Sequence, residues 1–356
     1  MFNLKNRRYT GAKTKLLEKI DFVISKNIKK ENLSFFDVFA GTGVVGEYFI
    51  KKNSFDNLLI NDFLYSNFVI FKAFFESKDY NEQKLQEIAR DFNKKDIIKE
   101  NYYGLEFGER FFSTQDASKI GYIRKQLEIL QKQNYINSSE FYILLASLLF
   151  SSDKIANTVG HYDAYCKNTK LENRFCFELI SPLKLQNKNI KIEQMDANLL
   201  AKKLAQSDSY FDIAFLDPPY NSRQYSRFYH LLETLASGNE PELFGVARKP
   251  KPKNLSAYCS KDAKNAFLEL VENLSKFCKN IVVTYNNTYS SNSNSSKNKI
   301  TLDEIRDILS SFGLLQNYEF DFKPFNSGKT DTTKGFKEHK EHIFILKGQK
   351  WKKHFV

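Results

Sequence analysis

Short apolar segments recur along this chain, and segments with helical periodicity separate them. The apolar runs, rich in aromatic and β-branched residues, lie at 35–40, 58–61, 190–194, 211–216, 281–285 and 342–346. Several are apolar without alternation, which is typical of strands covered on both faces of a parallel sheet. Helical patterns at 13–24 and 263–277 stand between such runs. This alternation predicts an open α/β sheet.

The interval 76–189 interrupts this rhythm. It contains two long helical patterns, at 116–133 and 138–156, and then a loop in which polar, aromatic and basic residues interleave. We therefore predict a core formed by 1–75 and 190–356, with an inserted, mainly helical lobe at 76–189. The segment 286–299 is rich in serine and asparagine, which predicts a flexible loop.

Charge and cysteine content narrow the class of protein. There are 54 Lys and Arg against 42 Asp and Glu, a net charge of +12. This excess favours a polyanionic partner such as nucleic acid, although a chain rich in lysine throughout would show it too.

Four cysteines without a CxxC pair predict buried, reduced thiols rather than a zinc site. Since no run of 18 uncharged apolar residues occurs, we expect a soluble, cytoplasmic protein with no membrane partner.

A glycine-rich loop follows the first apolar run, in FFDVFAGTGVVGEYF. Gly41 and Gly43 lead from the predicted strand into an apolar helix, and glycines there permit a tight turn and close approach to a ligand. Asp62 ends the next predicted strand, where a carboxylate commonly accepts hydrogen bonds from a ribose. By themselves these residues fit a nucleotide site and a purely structural turn with a capping aspartate equally well.

The strand predicted at 211–216 runs into Asp217, Pro218, Pro219 and Tyr220. The prolines hold the backbone extended and remove two donors, which leaves carbonyl oxygens at the strand end. Asp217 and the Pro218 carbonyl could accept both hydrogens of an exocyclic amine, while Tyr220 stacks on its ring. The alternative is that Asp-Pro-Pro only terminates the strand.

Taken together, these motifs resemble those of the S-adenosylmethionine-dependent DNA adenine-N6 methyltransferases of the Dam-like class (D12, or alpha class). RYTGAK at 8–13, DVFAGTGVVG at 37–46 and DPPY at 217–220 occur in that class's order. The insertion falls where the class carries its target-recognition lobe. The resemblance implies a Rossmann-like methyltransferase sheet and S-adenosyl-L-methionine as cofactor. It also implies site-specific transfer of methyl to N6 of a flipped-out adenine in double-stranded DNA, within a restriction–modification system.

The resemblance also assigns roles to residues. Tyr9 and Lys13 would contact the methionine portion of the cofactor, with Lys13 pairing its carboxylate. Asp196 would lie near the cofactor adenine amine, although it could equally cap a helix that begins at Ala197. The remaining residues implied for the cofactor site are Phe39, Gly41, Gly43 and Asp62. The residues implied for catalysis are Asp217, Pro218, Pro219 and Tyr220, and Tyr220 would receive the flipped base.

Basic residues outside these motifs are candidate DNA contacts. Arg223 and Arg227 are four apart, so on a helix they would share one face and could follow a phosphate backbone; an ordinary solvated face is the alternative. Lys249 and Lys251 belong to the Pro- and Lys-rich ARKPKPKN, and His161 lies in the loop after the second long helical pattern. His161 and Asp163 lack a third ligand at suitable spacing, so we predict no metal site.

Three other functions fit part of the sequence. Methyltransferases that act on ribosomal RNA guanine, cytosine N4 or protein glutamine use similar acceptors, and Asp217 in place of serine disfavours cytosine N4. A non-catalytic DNA-binding subunit could keep the same fold, although the intact DPPY motif disfavours it. The third alternative, a nicotinamide-dependent oxidoreductase, is supported by the glycine loop alone. A cognate restriction endonuclease that acts separately is the further partner implied by the resemblance.

Overall fold

The structure, a computed structural model, describes residues 2–9, 11, 13–95, 98–219, 221–286, 298–321 and 340–348. Tyr220 and residues 287–297 of the predicted flexible loop lie outside them. The chain divides into two compact units. We call one the helical unit (Met1–Ala12, Leu64–Gln186 and Tyr225–Asn254) and the other the sheet unit (Lys13–Phe63, Asn187–Gln224 and Leu255–Val356).

The sheet unit is built around a single β-sheet. The strands of the described residues are β1 (Leu33–Asp37), β2 (Phe55–Asp62), β3 (Asn189–Gln194), β4 (Phe211–Leu216), β5 (Leu243–Phe244), β6 (Lys249–Pro250), β7 (Cys278–Asn286), β8 (Gly313–Asp321) and β9 (Lys340–Gly348). Seven of them form one sheet with the order β3-β2-β1-β4-β7-β9-β8. The first five pair in parallel, whereas β9 pairs antiparallel with β7 and β8. The predicted Rossmann-like α/β fold is confirmed.

The strand order predicts which edge of the sheet would bind a ligand. β2 and β3 lie on one side of β1, while β4 and β7 lie on the other, so the order of connection reverses between β1 and β4. In open α/β sheets, ligands bind beyond the carboxyl ends of the strands at such a reversal. The glycine loop follows β1 and Asp217 follows β4, so both motifs belong to this edge.

Helices cover the sheet and form most of the helical unit. They are α1 (Leu17–Asn27), α2 (Val44–Ile50), α3 (Tyr65–Phe71), α4 (Glu82–Lys94), α5 (Tyr102–Phe107), α6 (Thr114–Lys132), α7 (Ser138–Ile155), α8 (Ala197–Ala205), α9 (Tyr225–Phe228), α10 (His230–Ser237), α11 (Ala263–Leu274) and α12 (Leu302–Ser310). In the sheet unit, Phe36, Leu216 and Phe267 belong to a fully buried core. On β1, Phe35 stacks on Phe49 with the ring centroids 4.8 Å apart.

The two long helical patterns of the insertion are present as α6 and α7. Asn137 caps α7 in a capping box with Glu140, which explains its sharp start. The helical unit also takes in Met1–Ala12 and Tyr225–Asn254, beyond the predicted lobe at 76–189. Target recognition by this lobe stays a prediction. None of the helices in the described residues is long and apolar enough to cross a membrane.

The cysteines only partly match their prediction. Cys259 and Cys278 are buried, and burial raises the pKa of the Cys278 thiol well above its ordinary value. Cys166 and Cys176 are exposed, so the prediction of burial is wrong for these two. They lie after α7, in a stretch without helix or strand in which their own side chains face solvent.

Asp212 anchors the start of β4, and we expect its loss to destabilise the fold. It accepts hydrogen bonds from Ser34 N and Oγ, both 3.0 Å, from Lys30 Nζ at 2.7 Å, and from Tyr210 Oη at 3.0 Å. Burial alone would raise the pKa of Asp212, but these bonds outweigh it and lower the pKa. The resulting stability is present above the unfolded-state pKa and is lost as the pH falls through the folded-state pKa.

Asp212→Asn should therefore lower the free energy of unfolding at pH 7 by about 2 to 4 kcal/mol, because a buried hydrogen-bonded charge is lost. Urea unfolding at several pH values measures this. The loss should shrink toward acid pH, and Asp208→Ala, at an exposed site, should change little. Equal losses at all pH values would contradict the role given to the Asp212 charge.

Candidate active site

The glycine loop turns sharply at the end of β1. Gly41 and Gly43 have φ angles of 55° and 80°, in the left-handed region that disfavours side chains. Gly43 N donates to Ala40 O at 2.8 Å, which closes the turn before α2 begins at Val44. The loop therefore presents backbone without side chains at these two positions, as a ligand cradle requires.

Two neighbouring residues at the end of β2 fix this loop. Gly41 N donates to Asp62 Oδ2 at 2.7 Å. Asn61 Nδ2 donates to Val38 O at 3.2 Å and to Met195 O at 3.1 Å, and Asn61 Oδ1 accepts from Met195 N at 3.0 Å. The Asn61 side chain thus ties the ends of β1, β2 and β3 together. The role of Asp62 toward a ribose stays a prediction.

Asp196 and Phe39 lie at the same edge of the sheet. Asp196 caps α8, since its Oδ1 accepts from Asn198 N at 3.0 Å and from Leu199 N at 3.2 Å. This is the capping alternative considered from sequence, and its role toward a cofactor amine stays a prediction. The Phe39 ring meets Tyr258 edge to face, with the centroids 5.1 Å apart.

Asp217 is held from two directions at the end of β4. Lys13 Nζ lies 2.9 Å from Asp217 Oδ1, and Thr284 Oγ1 of β7 donates to the same oxygen at 3.0 Å. The Lys13 side chain is only 6% exposed and that of Asp217 only 17%. Burial lowers the pKa of Lys13, but the charges of Asp217 and Glu341 outweigh it and raise this pKa, so Lys13 is cationic.

Asp37 is a site residue that the sequence reasoning missed. It ends β1 fully buried, and neither carboxyl oxygen has a hydrogen-bond partner within the described part of the chain. Burial raises the pKa of Asp37 well above its ordinary value, and the charges of Asp217 and Asp62 raise it further; the nearby Gly46 amide offsets this only in part. The sequence did contain a signal for Asp37, because it is the one charged residue in the apolar run FFDVFA.

The Tyr9 ring is engaged within the helical unit. It stacks on Tyr229 with the centroids 4.6 Å apart and the planes 6° from parallel, and on Tyr225 at 5.4 Å. The Arg7 guanidinium lies 5.4 Å from its centroid. These contacts fix the ring, and its contact with a cofactor stays a prediction.

The prediction that Arg223 and Arg227 share one helix face is wrong. Helix α9 begins at Tyr225, so Arg223 precedes it, and the two arginines belong to different units. The Arg223 amide donates to Asn221 Oδ1 at 3.0 Å, a local turn that competes with helix formation. Arg227 Nη1 donates to Pro250 O at 3.3 Å. Contact of either arginine with DNA stays a prediction.

The other candidate DNA contacts lie in the helical unit. His161 stacks on Phe228 with the centroids 4.6 Å apart, and Lys249 forms an ion pair with Asp163. Lys251 is exposed, with its Nζ 5.7 Å from the Phe244 centroid. Their roles toward DNA also stay predictions.

A mostly parallel sheet with a glycine loop after β1 and acidic side chains at the carboxyl ends of its strands is typical of α/β enzymes that bind a nucleotide-like ligand. The chain belongs to the family of D12 class N6 adenine-specific DNA methyltransferases, which matches residues 9–320. The resemblance drawn from the three motifs is confirmed.

Two individual relatives are also named as methyltransferases, in agreement with the family. The chain is 33% identical over 366 residues to Type II methyltransferase M.FokI of Planomicrobium okeanokoites, covering 95% of this chain and 52% of that protein. It is 30% identical over 358 residues to Type II methyltransferase M.NlaIII of Neisseria lactamica, covering 95% and 98% respectively. The chain thus spans about half of M.FokI but nearly all of M.NlaIII.

A solved S-adenosylmethionine-dependent methyltransferase from Agrobacterium tumefaciens is a distant structural match. It aligns with a TM-score of 0.34 and 10% identity over 95% of this chain and 62% of that one.

Proposed function

We propose that this chain transfers a methyl group from S-adenosylmethionine to the N6 amine of adenine in duplex DNA. The observation that carries the proposal is the position of Asp217 and Pro218 at the carboxyl end of β4, in a chain of the D12 family. The strand that precedes them is buried and pairs with a neighbour on each side, which would place the acceptor groups before any substrate arrives.

The sheet edge suits the cofactor. Gly41 and Gly43 allow close approach of a ligand to the backbone, and Asp62 stands beside the loop as a hydroxyl acceptor. S-adenosylmethionine, when bound, supplies a sulfonium methyl group open to attack by a nucleophile.

Asp217 and Pro218 would activate the target amine. The lone pair of adenine N6 is delocalised into the ring and is a poor nucleophile. Acceptance of both amine hydrogens, by the Asp217 carboxylate and the Pro218 carbonyl, draws the nitrogen toward tetrahedral geometry and localises its lone pair. The amine would then attack the methyl carbon directly, with no covalent enzyme intermediate. The new N–C bond would form as the S–C bond breaks and the thioether S-adenosylhomocysteine leaves, and the surplus proton on nitrogen would leave through its hydrogen bond to the Asp217 carboxylate. In a duplex the adenine must first leave the stack, and Tyr220 would receive it.

Duplex DNA is the macromolecular partner we propose. The chain carries a net charge of +12, and Lys251 and Lys253 are exposed just after β6. Arg227, bonded to Pro250 O of β6, links α9 to this basic segment. Phosphate contacts of this kind position a protein on DNA, whereas base contacts give sequence specificity.

The names of the relatives support a proposal about the cellular setting. M.FokI and M.NlaIII are named type II methyltransferases, and we propose that this chain likewise protects DNA against a cognate restriction endonuclease that acts separately. Such an enzyme works in the compartment that holds the cell's DNA, which in a bacterium is the cytoplasm.

Neutralising Lys251 and Lys253 should weaken DNA binding in a salt-dependent way. If both contact phosphates, the double alanine variant should reduce the slope of log affinity against log salt by about 2, because each contact releases about one counterion. Fluorescence anisotropy of a labelled duplex at several salt concentrations measures the slope. The matched control is Lys202→Ala with Lys203→Ala, an exposed pair on α8 with the same charge change. Equal slopes for the two double variants would show that Lys251 and Lys253 are not the phosphate contacts proposed here.

The proposed substrate is tested by offering labelled S-adenosylmethionine with duplex DNA, single-stranded DNA, ribosomal RNA or protein in parallel. We expect incorporation into duplex DNA. Label in RNA or protein instead would favour another methyltransferase of the same fold. No label in any acceptor, together with tight DNA binding, would favour a non-catalytic DNA-binding subunit.

A further inference from the structure

Thr284 carries a buried hydroxyl group to which the proposed reaction assigns no role. It lies on β7 and is 0% exposed. Strands β4 and β7 pair in parallel, with Leu216 opposite Val283. The next residue of each strand is Asp217 on one side and Thr284 on the other, so the two stand side by side where β4 ends. Strand β7 continues to Asn286 and thus carries Thr284 past that end.

The Thr284 hydroxyl has one hydrogen to donate, and two distances indicate which acceptor receives it. Its Oγ1 lies 3.0 Å from Asp217 Oδ1 but 3.5 Å from Leu216 O, so the carboxylate is the better-placed acceptor. Branching at Cβ restricts the χ1 rotamers of threonine. Strand β7 is also hydrogen-bonded on both sides, by β4 and by β9. The position of this donor is therefore set by the sheet.

The Asp217 carboxylate needs a defined orientation for the proposed reaction, because it has to accept a hydrogen from one particular amine. The terminal torsion of an aspartate is broad, so an unconstrained carboxylate adopts many orientations. Lys13 Nζ at 2.9 Å and Thr284 Oγ1 at 3.0 Å both bind the same oxygen, Oδ1. Two donors from different elements on one oxygen restrict both the position and the rotation of the carboxylate.

These two donors differ in how firmly the chain holds them. The Lys13 ammonium is a point charge at the end of a flexible side chain, and the family resemblance also assigns it to the carboxylate of the cofactor. It therefore has two proposed anionic partners. The short Thr284 side chain, by contrast, places its oxygen next to the backbone of a central strand. Lys13 can supply charge to Asp217, whereas Thr284 supplies direction.

We propose that Thr284 is a positioning residue that holds the Asp217 carboxylate in the orientation that accepts the amine hydrogen, whichever anion Lys13 pairs with. The catalytic meaning of this inference rests on the proposed function. Thr284 acts through Asp217 and does not touch the adenine.

The variant Thr284→Val tests this role, because valine has nearly the same shape and lacks the hydroxyl. The single-turnover rate constant for methyl transfer should fall roughly 10- to 100-fold, the equivalent of one hydrogen bond to a charged group. Affinities for the cofactor and for DNA should change far less. Thr284→Ser restores the hydroxyl and should recover most of the rate.

Thr234→Val is the matched control for the loss of a buried hydroxyl. Thr234 on α10 is 4% exposed, and its Oγ1 donates to His230 O at 2.8 Å, away from Asp217 in the fold. This variant should keep the wild-type rate constant. An equal loss of rate in Thr234→Val, or a loss in Thr284→Val that Thr284→Ser does not recover, would assign Thr284 a packing role only.

Crystal structures of the variants provide a measurement without turnover. The Asp217 side chain should have one conformation in the wild type and in Thr284→Ser, and a different conformation or several in Thr284→Val. An unchanged single conformation in Thr284→Val, or a wild-type rate constant for that variant, overturns the inference. If the wild type transfers no methyl to DNA and the Asp217 conformation still changes, the orienting bond stands and the proposed function fails.

Discussion

Asp217→Ala should lower the single-turnover rate constant for methyl transfer to DNA by about 10²- to 10³-fold, as expected when a preorganised polar group of the reaction is removed. In the proposed mechanism the carboxylate accepts a hydrogen from the attacking amine, so its loss should leave the N6 lone pair delocalised. Binding of the cofactor and DNA should change far less, because Asp217 acts mainly in the transition state. Rapid-quench experiments with enzyme in excess over DNA measure the rate constant directly.

Two variants control this experiment. Asp217→Asn keeps one carbonyl acceptor, so its rate constant should lie between those of the alanine variant and the wild type. Asp208→Ala removes an exposed carboxylate just before β4 and should retain the full rate. Near-normal turnover by a folded Asp217→Ala protein would remove Asp217 from the mechanism.

Asp62→Ala should weaken binding of S-adenosylmethionine by about 10- to 100-fold. Two effects combine, because Asp62 Oδ2 accepts from Gly41 N at 2.7 Å and the carboxylate is the proposed ribose acceptor. Hydrogen bonds to a charged group are worth about 1.5 to 3 kcal/mol, which corresponds to this loss of affinity. Isothermal titration with the cofactor alone measures it without DNA or turnover.

The two contributions of Asp62 can be separated. Asp62→Asn keeps an oxygen for Gly41 N but removes the charge, so it should bind the cofactor more tightly than Asp62→Ala does. Asp303→Ala on α12, where the side chain is 82% exposed, is the matched control and should bind like the wild type. Wild-type affinity in Asp62→Ala would show that the glycine loop holds the cofactor without this carboxylate.

The sheet was largely predictable because most of its strands are buried on both faces. The apolar runs at β1, β2, β4, β7 and β9 show this directly in the sequence. Strand β8 was missed because it is half exposed and mixes polar and apolar residues, as in LQNYEF. An exposed strand gains its identity from its neighbour β9, and no local pattern records that pairing.

The candidate site likewise has features that the sequence predicted and features that it could not predict. Local chemistry predicted the turn at Gly41 and Gly43 and the strand end at Asp217, because glycine and proline restrict the backbone wherever they stand. The ion pair between Lys13 and Asp217 depends on tertiary contact between distant parts of the chain. The same holds for the burial of Glu341, which only the packing of β9 reveals.

The spacing of Arg223 and Arg227 shows how a local rule can mislead. Four residues apart is helical spacing, but it indicates a shared face only where a helix exists. The Asn221 side chain instead accepts the Arg223 amide, and α9 begins two residues later. Asparagine and serine just after DPPY were the available signal for a turn, since both favour local hydrogen bonds to the backbone.

The most direct test of the central claim is the identity of the methylated nucleoside. Duplex DNA that lacks adenine methylation is incubated with the protein and labelled S-adenosylmethionine, digested to nucleosides and separated by chromatography, with Asp217→Ala in parallel. We predict that the label elutes as N6-methyladenosine in its deoxyribose form and that the variant gives almost none. Label in a methylated cytosine, or equal labelling by Asp217→Ala, would contradict the account.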